Sequence, residues 1–222
     1  MLKVIIFDFD GVIVDSNRIK KDTYFELFKS FKNGASIVGR VLSKYEPNTR
    51  KYLISKIING MIKEKTVKNK QANIIKQRYV SRYGYICEEK IKKCKGIKGA
   101  SDSIKNLAKK YHLYIISITP RKTLRNILKY RKLLRYFVEV FGGEKSKLDN
   151  FKRIIKSESI VPKQAVIIGD GLLDYKLGKA SGAHFIGIDN EEGLLRQKKI
   201  KYFLSDCGKL YNMINNIKLK WK

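Results

Sequence analysis

Histidine is nearly missing from this chain: His112 and His184 are the only two among 222 residues. Catalysis built on histidine and metal sites built on imidazole are therefore all but excluded. Cysteine is almost as scarce. Cys87, Cys94 and Cys207 are odd in number, and six residues separate Cys87 from Cys94, unlike the short spacing of a zinc knuckle. Free thiols in a reducing cytoplasm are the expectation. No apolar run reaches the ~18 residues of a membrane span, so no membrane partner is expected. The first apolar strand is expected from residue 3, which leaves no room for a secretory leader. Internal repeats and low-complexity segments are absent. Acidic residues are heavily outnumbered, with 20 Asp and Glu against 49 Lys and Arg, a net charge of +29.

A field of that sign attracts polyanions and phosphorylated metabolites. The excess is mostly lysine, and it comes with abundant Ile, Asn and Tyr. That is the compositional drift of an AT-rich genome, which we prefer to a dedicated nucleic-acid surface. Hydrophobic residues make up 43% of the chain and aromatics 11%, ample for a packed core. The length exceeds one typical domain of ~150 residues and falls short of two, which fits a core domain with a smaller insertion.

The pattern along the chain divides it in the same way. KVIIFD (3–8) reads as a buried strand. Residues 17–95 instead carry apolar residues at helical spacing, such as Tyr24, Leu27, Phe28 and Phe31, then Tyr52, Ile54, Ile57, Ile58 and Met61. Breaks are expected near Asn33-Gly34, Glu46-Pro47-Asn48 and Tyr83-Gly84. Between residues 17 and 100 there are 22 Lys and Arg against 6 Asp and Glu, more than half the net charge. Beyond Gly99 the pattern alternates. Helices are expected over 100–111, with Ser101 or Asp102 as N-cap, 120–130 with Pro in the first turn, 148–157, and 172–182 ending at a glycine. Strands are expected over 113–117, 136–142, 164–170, 184–189 and 201–206. The closing KLKWK reads as a fraying basic tail. Alternation of this kind implies an α/β fold with a parallel sheet and helices on both faces.

In such sheets ligands bind beyond the carboxyl ends of the strands. Four strand ends here carry polar residues of related purpose. Asp8 and Asp10 follow the first strand. Spaced i and i+2, they point the same way while Phe9 points to the other face. Two adjacent carboxylates repel unless a cation or a proton separates them, and a metal is the economical answer. Gly11 then lets the backbone turn closely around a ligand. Asp170 and Asp174 form a GDxxxD arrangement that puts both carboxylates on one face of a helix N-terminus. A few carboxylates completed by waters and a phosphate describe Mg²⁺ better than a caged Ca²⁺, and no Cys or His lies in these segments to suggest zinc. Ser117 ends its strand with a hydroxyl able to hold phosphate oxygens, or simply to cap a turn. Lys147 stands before a helix, where its ammonium would neutralise a phosphoryl group, and Lys145 competes for that role. Asn17, Arg18, Thr119 and Arg121 lie near these motifs, within reach of a substrate, with ordinary surface or capping readings of equal weight.

IIFDFDGVIVDS, the Ser ending LYIIS, the Lys of EKSK and IIGDGLLD, in that order, resemble the four motifs of the haloacid dehalogenase (HAD) superfamily. The motifs span residues 8 to 174. The helical insertion is similar to the C1 cap of phosphoglycolate-phosphatase-like members. SITPRKTL further resembles proteins of sugar-phosphate or surface-polysaccharide metabolism. The resemblance implies a Rossmann-like α/β core at 1–16 and 96–222 and a helical cap at 17–95 that closes over the site. It implies Asp8 as nucleophile, Asp10 as general acid and base, and Ser117 and Lys147 as holders of the phosphoryl group. Mg²⁺ would be held by Asp8, Asp10 through its carbonyl, Asp170 and Asp174, with Gly11, Thr119 and Arg121 near the substrate. The expected function is a cytoplasmic Mg²⁺-dependent phosphatase of a small phosphorylated metabolite, a monomer or homodimer. The rivals are a phosphomutase of the same fold, a nucleic-acid end phosphatase, and a scaffold that merely keeps the fold.

Overall fold

The computed structural model describes residues 1–45, 48–189, 193 and 195–218. The expected break at Glu46-Pro47 and most of the KLKWK tail lie outside the described residues. The chain forms two compact units, Met1–Asp15 with Cys94–Lys222, and Ser16–Lys93 between them.

The first unit opens with β1 (Val4–Phe7). The inserted unit is wholly helical, with α1 (Asn17–Phe28), α2 (Gly34–Lys44), α3 (Arg50–Lys63) and α4 (Ala72–Lys93). Its interior is aromatic and aliphatic. Tyr24 stacks on Tyr83 at 4.3 Å between ring centroids, and Phe28 on Tyr79 at 4.8 Å. Rings packed this way add to ordinary apolar burial. The break expected at Tyr83-Gly84 does not occur, because both residues lie inside the 22-residue α4. A Cβ at Gly84 would stand 2.2 Å from Nη1 of Arg50, the mobile end of a long side chain, and the helix runs through the glycine without interruption.

The remainder of the first unit alternates helix and strand. It holds α5 (Ala100–Leu107), β2 (His112–Ile116), α6 (Arg121–Tyr130), β3 (Glu139–Phe141) and α7 (Lys147–Ser157). It continues with β4 (Ala165–Gly169), α8 (Leu172–Ser181), β5 (His184–Ile188), β6 (Phe203–Leu204) and α9 (Leu210–Lys218). The six strands form one sheet in the order β3-β2-β1-β4-β5-β6, and every pairing is parallel. One face packs Val4, Ile6, Tyr114, Ile116 and Ile167 against Phe151 and Ile154 of α7 and Leu177 of α8. The alternate residues Ile5, Phe7, Ile115, Val166 and Ile168 are fully buried as well, so neither face meets water. This is the α/β Rossmann-like architecture the alternation implied, with a helical insertion.

Local chemistry trimmed several expected elements. The N-cap of α5 is Gly99, in the left-handed region at φ 75°, and neither Ser101 nor Asp102. Asp102 instead lies in the first turn, 3.6 Å from Lys105. A 3₁₀ turn at Leu134–Tyr136 shortens the third strand to three residues. Pro120 sits at the N-cap of α6, one residue before its first turn. Gly182, at φ 72°, ends α8 as expected. All three cysteines are free. Among the described residues no helix is long and apolar enough to cross a membrane.

Candidate active site

The strand order decides which residues meet. β1 lies between β2 and β4, so the carboxyl ends of these three strands are neighbours at the point where the strand order reverses. Phe7 is in register with Ile115 on one side and Ile168 on the other. Asp8 follows at once, its N–H donating to Ile168 O at 2.8 Å. Beyond it the chain turns tightly. Gly11 adopts φ 73°, and its N–H donates to Val14 O at 2.8 Å. A residue with a side chain rarely takes that conformation.

From β4 come Asp170 and, on the first turn of α8, Asp174. Gly169 makes that possible, because a Cβ there would stand 2.2 Å from Cβ of Asp174. Carboxylate oxygens of Asp8, Asp170 and Asp174 all lie within 4.8 Å of one another, and all three residues are buried. Lys147, the first residue of α7, reaches into the group. Its Nζ is 2.6 Å from Asp174 Oδ1 and 3.2 Å from Asp8 Oδ2. Ser146 fixes the start of α7 by accepting from the N–H of Asp149 at 3.1 Å. Between Lys147 and Lys145 the geometry therefore selects Lys147. Lys145 is exposed on the loop before it.

Asp10 is treated differently. Its Oδ2 accepts from Thr119 Oγ1 at 2.9 Å, and its carboxylate is not one of the three clustered ones. Thr119 is itself held, since its N–H donates to Ser117 Oγ at 3.1 Å. Ser117 continues the sheet, donating from its N–H to Phe141 O at 3.1 Å. The ends of β1 and β2 are thus joined through Ser117, Thr119 and Asp10.

Three further candidates have other surroundings. Arg121 is exposed, with its N–H on Glu144 Oε1 at 2.9 Å and its guanidinium on Glu139 at 2.5 Å. Asn17 and Arg18 open α1 in the helical unit, where Arg18 lies 3.7 Å from Asp22. His112 pairs with Glu158 at 2.7 Å, outside the carboxylate group. Sequence reasoning missed Asn150, which is buried on α7 and donates from Nδ2 to Gly142 O at 3.2 Å. It ties down the loop that delivers Lys147. Its only sequence signal was an amide on the otherwise apolar face of a helix.

The electrostatics are unbalanced. Asp8, Asp170 and Asp174 are clustered and buried, and the ion pairs among the described residues set one ammonium, that of Lys147, against Asp8 and Asp174. Burial, then the charge of Asp174, pushes the Asp8 carboxyl up to about 7 despite Lys147. Burial also raises Asp174, against the pull of Lys147. Burial would draw Lys147 down, but Asp174 and Asp8 outweigh it and hold the ammonium above its ordinary value. Asp8 Oδ1 is buried with no hydrogen-bond partner among the described residues. A hard divalent cation fits this arrangement. It would restore the charge balance, occupy the orphaned oxygen and find only oxygen donors.

Comparison with known proteins agrees with the geometry. No curated protein matches the sequence. Among solved structures, a predicted phosphoglycolate phosphatase from Haemophilus somnus 129pt superposes with a TM-score of 0.79 at 18% identity, covering 96% of this chain and 98% of its own. A candidate HAD-hydrolase, YfnB, from Bacillus subtilis bound to magnesium gives 0.70 at 21% identity, covering 96% and 99%. A candidate beta-phosphoglucomutase from Thermotoga maritima gives 0.71 at 16% identity, covering 97% and 100%. At such identities the likeness concerns the fold. The sequence itself carries more: the pattern of the haloacid dehalogenase-like hydrolases matches residues 5–188. That span runs from β1 through β5 and contains all four clustered and neighbouring aspartates, so the chain belongs to the haloacid dehalogenase-like hydrolase family.

Proposed function

We propose that the protein is a Mg²⁺-dependent phosphatase that hydrolyses a small phosphorylated metabolite through a phosphorylated Asp8, with Ser16–Lys93 as its cap. The observation that supports this most is the division of labour between Asp8 and Asp10. Asp8 is in the carboxylate group beside Lys147, whereas Asp10 is held apart by Thr119.

Asp8, Asp170 and Asp174 would hold the cation, with the main chain at Asp10. When bound there, the metal would supply positive charge that keeps Asp8 ionised and polarises the phosphate. An oxygen of Asp8 attacks phosphorus as the P–O bond to the substrate alcohol breaks. Asp10 gives its proton to the departing oxygen, so the alcohol leaves neutral. Asp10, now a carboxylate, takes a proton from water. The water oxygen attacks phosphorus, the P–O bond to Asp8 breaks, and inorganic phosphate and the Asp8 carboxylate are regenerated. Lys147 and Ser117 hold the phosphoryl oxygens during both displacements. A true dehalogenation has no use for the second acid, so Asp10 argues for phosphoryl transfer.

A panel of phosphorylated metabolites and an aryl phosphate, assayed with Mg²⁺, tests the reading. Release of inorganic phosphate, abolished by EDTA and by Asp8→Asn, is expected. A folded protein that turns over no phosphoester would sink it. Isomerised sugar phosphate without phosphate release would favour the mutase, which needs the same aspartates and differs only in the acceptor.

A further inference from the structure

A cavity of about 530 Å³ shares no residue with the carboxylate group. It is bounded by the first turns of α6, the loop after β3 and the middle of α7. Lys122 and Arg125 of α6, Lys145 of the loop and Arg153 of α7 converge on it. We propose that this cavity is an accessory binding site for a small di- or triphosphate.

The charges are the first argument. Among the described residues none of these four cations has an ion-pair partner. The only acid in the lining, Glu144, accepts from the N–H of Arg121 and leaves the four cations in excess. Four cations against one carboxylate around one concavity call for a ligand with several negative charges. A single phosphate would leave most of them unanswered.

The construction of the cavity is the second. Gly142 closes the loop against α6 so tightly that a Cβ would stand 2.2 Å from Arg121 N. Asn150 donates to Gly142 O at 3.2 Å and to Lys145 O at 3.5 Å, and Gly143 N–H donates to Thr119 O at 3.2 Å. Arg153 lies over the ring of Phe141, 5.1 Å from its centroid, which orders the guanidinium. The floor is therefore fixed and the cations stand on it. Glu144, on the loop before α7, already accepts from the N–H of Arg121 at the start of α6, so the cations and not that helix N-terminus would hold the ligand. The volume lies within the roughly 300–1,000 Å³ of small-molecule sites, which favours a compact ligand over a macromolecule.

The rival explanation is the diffuse charge of a very basic chain, and the test is built to separate the two. Tripolyphosphate is titrated calorimetrically into the full chain carrying Asp8→Asn, with EDTA present and about 0.15 M salt. Without a cation the carboxylate group repels anions, so the outcome does not depend on the phosphatase reading. That reading stands or falls on wild-type turnover, measured separately. Saturable binding is expected, at least tenfold tighter than for orthophosphate. Arg125→Glu with Arg153→Glu should weaken it at least tenfold. Lys51→Glu with Lys70→Glu, the same charge change at exposed residues of the helical unit, should weaken it less than twofold. A nucleoside triphosphate of equal affinity would mean that the phosphate chain is all that is read, and tighter binding would add a contribution from the base. Either result upholds the site. Equal weakening by both pairs, or no saturable binding, overturns it.

Discussion

The two units handle polar groups in opposite ways. The α/β unit buries four carboxylates at the carboxyl ends of its strands and sets one lysine, Lys147, against two of them. The helical unit buries no acidic residue among those described, and its ion pairs are exposed, such as Lys90–Glu26 at 2.6 Å, or half-buried, such as Lys92–Glu88 at 3.2 Å. Yet Ser16–Lys93 carries about half the net charge in roughly a third of the chain. Charge in the helical unit is abundant and individually cheap, because water screens it. Charge at the sheet edge is scarce and expensive, because nothing screens it. Concentrated, desolvated charge is where chemistry is expected, and a high total charge is a poor guide to it.

The sharpest way to break that contrast is to neutralise the centre of the costly cluster. Asp8→Asn should lower kcat for an aryl phosphate by roughly 10⁴-fold or more. It should leave the metal-free protein at least as heat-stable as wild type, since a buried like-charge repulsion is relieved. Loss of activity together with a fall in melting temperature would mean that Asp8 is structural. Next in size is Lys147→Met. Removing the ammonium that pairs with Asp174 and Asp8 breaks both contacts, a cost of about 3–5 kcal/mol for a broken buried pair. Thermal or urea unfolding in EDTA measures it. Added Mg²⁺ should recover part of the stability and little of the activity.

Removing the metal sharpens the contrast further. In the metal-free protein the folded state keeps the Asp8 proton up to about pH 7, whereas the unfolded chain releases it near its ordinary value of 3.8. Between those limits the folded state binds more protons, so stability falls as pH rises. Asp174, raised as well, adds to the same slope. Mg²⁺ binds the deprotonated carboxylates, so its stabilising effect should grow as pH rises toward and past 7. Melting temperatures measured with EDTA and with Mg²⁺ from about pH 5 to 8 should diverge with increasing pH. Parallel curves would remove the case for a cation among these aspartates. No comparable slope is expected from the helical unit, where the shifted acids Glu26 and Glu64 are exposed and moved down by their partners.

The same contrast explains what could be read from the chain. Asp8 and Asp10 were legible because burying two carboxylates after an apolar strand makes no sense without a ligand. Asp170 and Asp174 were legible for the same reason. Ser117 and Lys147 were legible mainly by order, since a serine at a strand end and a lysine in a lysine-rich chain have ordinary readings. Competition between Lys145 and Lys147 needed coordinates, because the turn set by Ser146 and Asn150 decides which lysine points inward. The basic cavity was invisible. Its residues come from α6, the loop after β3 and α7, and each alone is one more exposed cation. In the helical unit the apolar spacing foretold helices, but Gly84 read as a break because glycine commonly punctuates a helix, whereas a 22-residue helix tolerates one in its interior.

The mildest test lies in that helical unit. Tyr83 stacks on Tyr24, and its hydroxyl donates to Lys20 O at 3.2 Å. Burial raises the phenol well above its ordinary value, so it stays a neutral donor at any working pH. Tyr83→Phe keeps the ring stack and removes the hydroxyl. It also leaves the Lys20 carbonyl short of one donor. A loss of about 1 kcal/mol is expected, the usual net worth of one such hydrogen bond. Urea unfolding measures it, and kcat for an aryl phosphate should remain within about twofold of wild type. If this deletion cut kcat as deeply as a change at the sheet edge, the division between a scaffold of stacked rings and an edge of costly charge would fail.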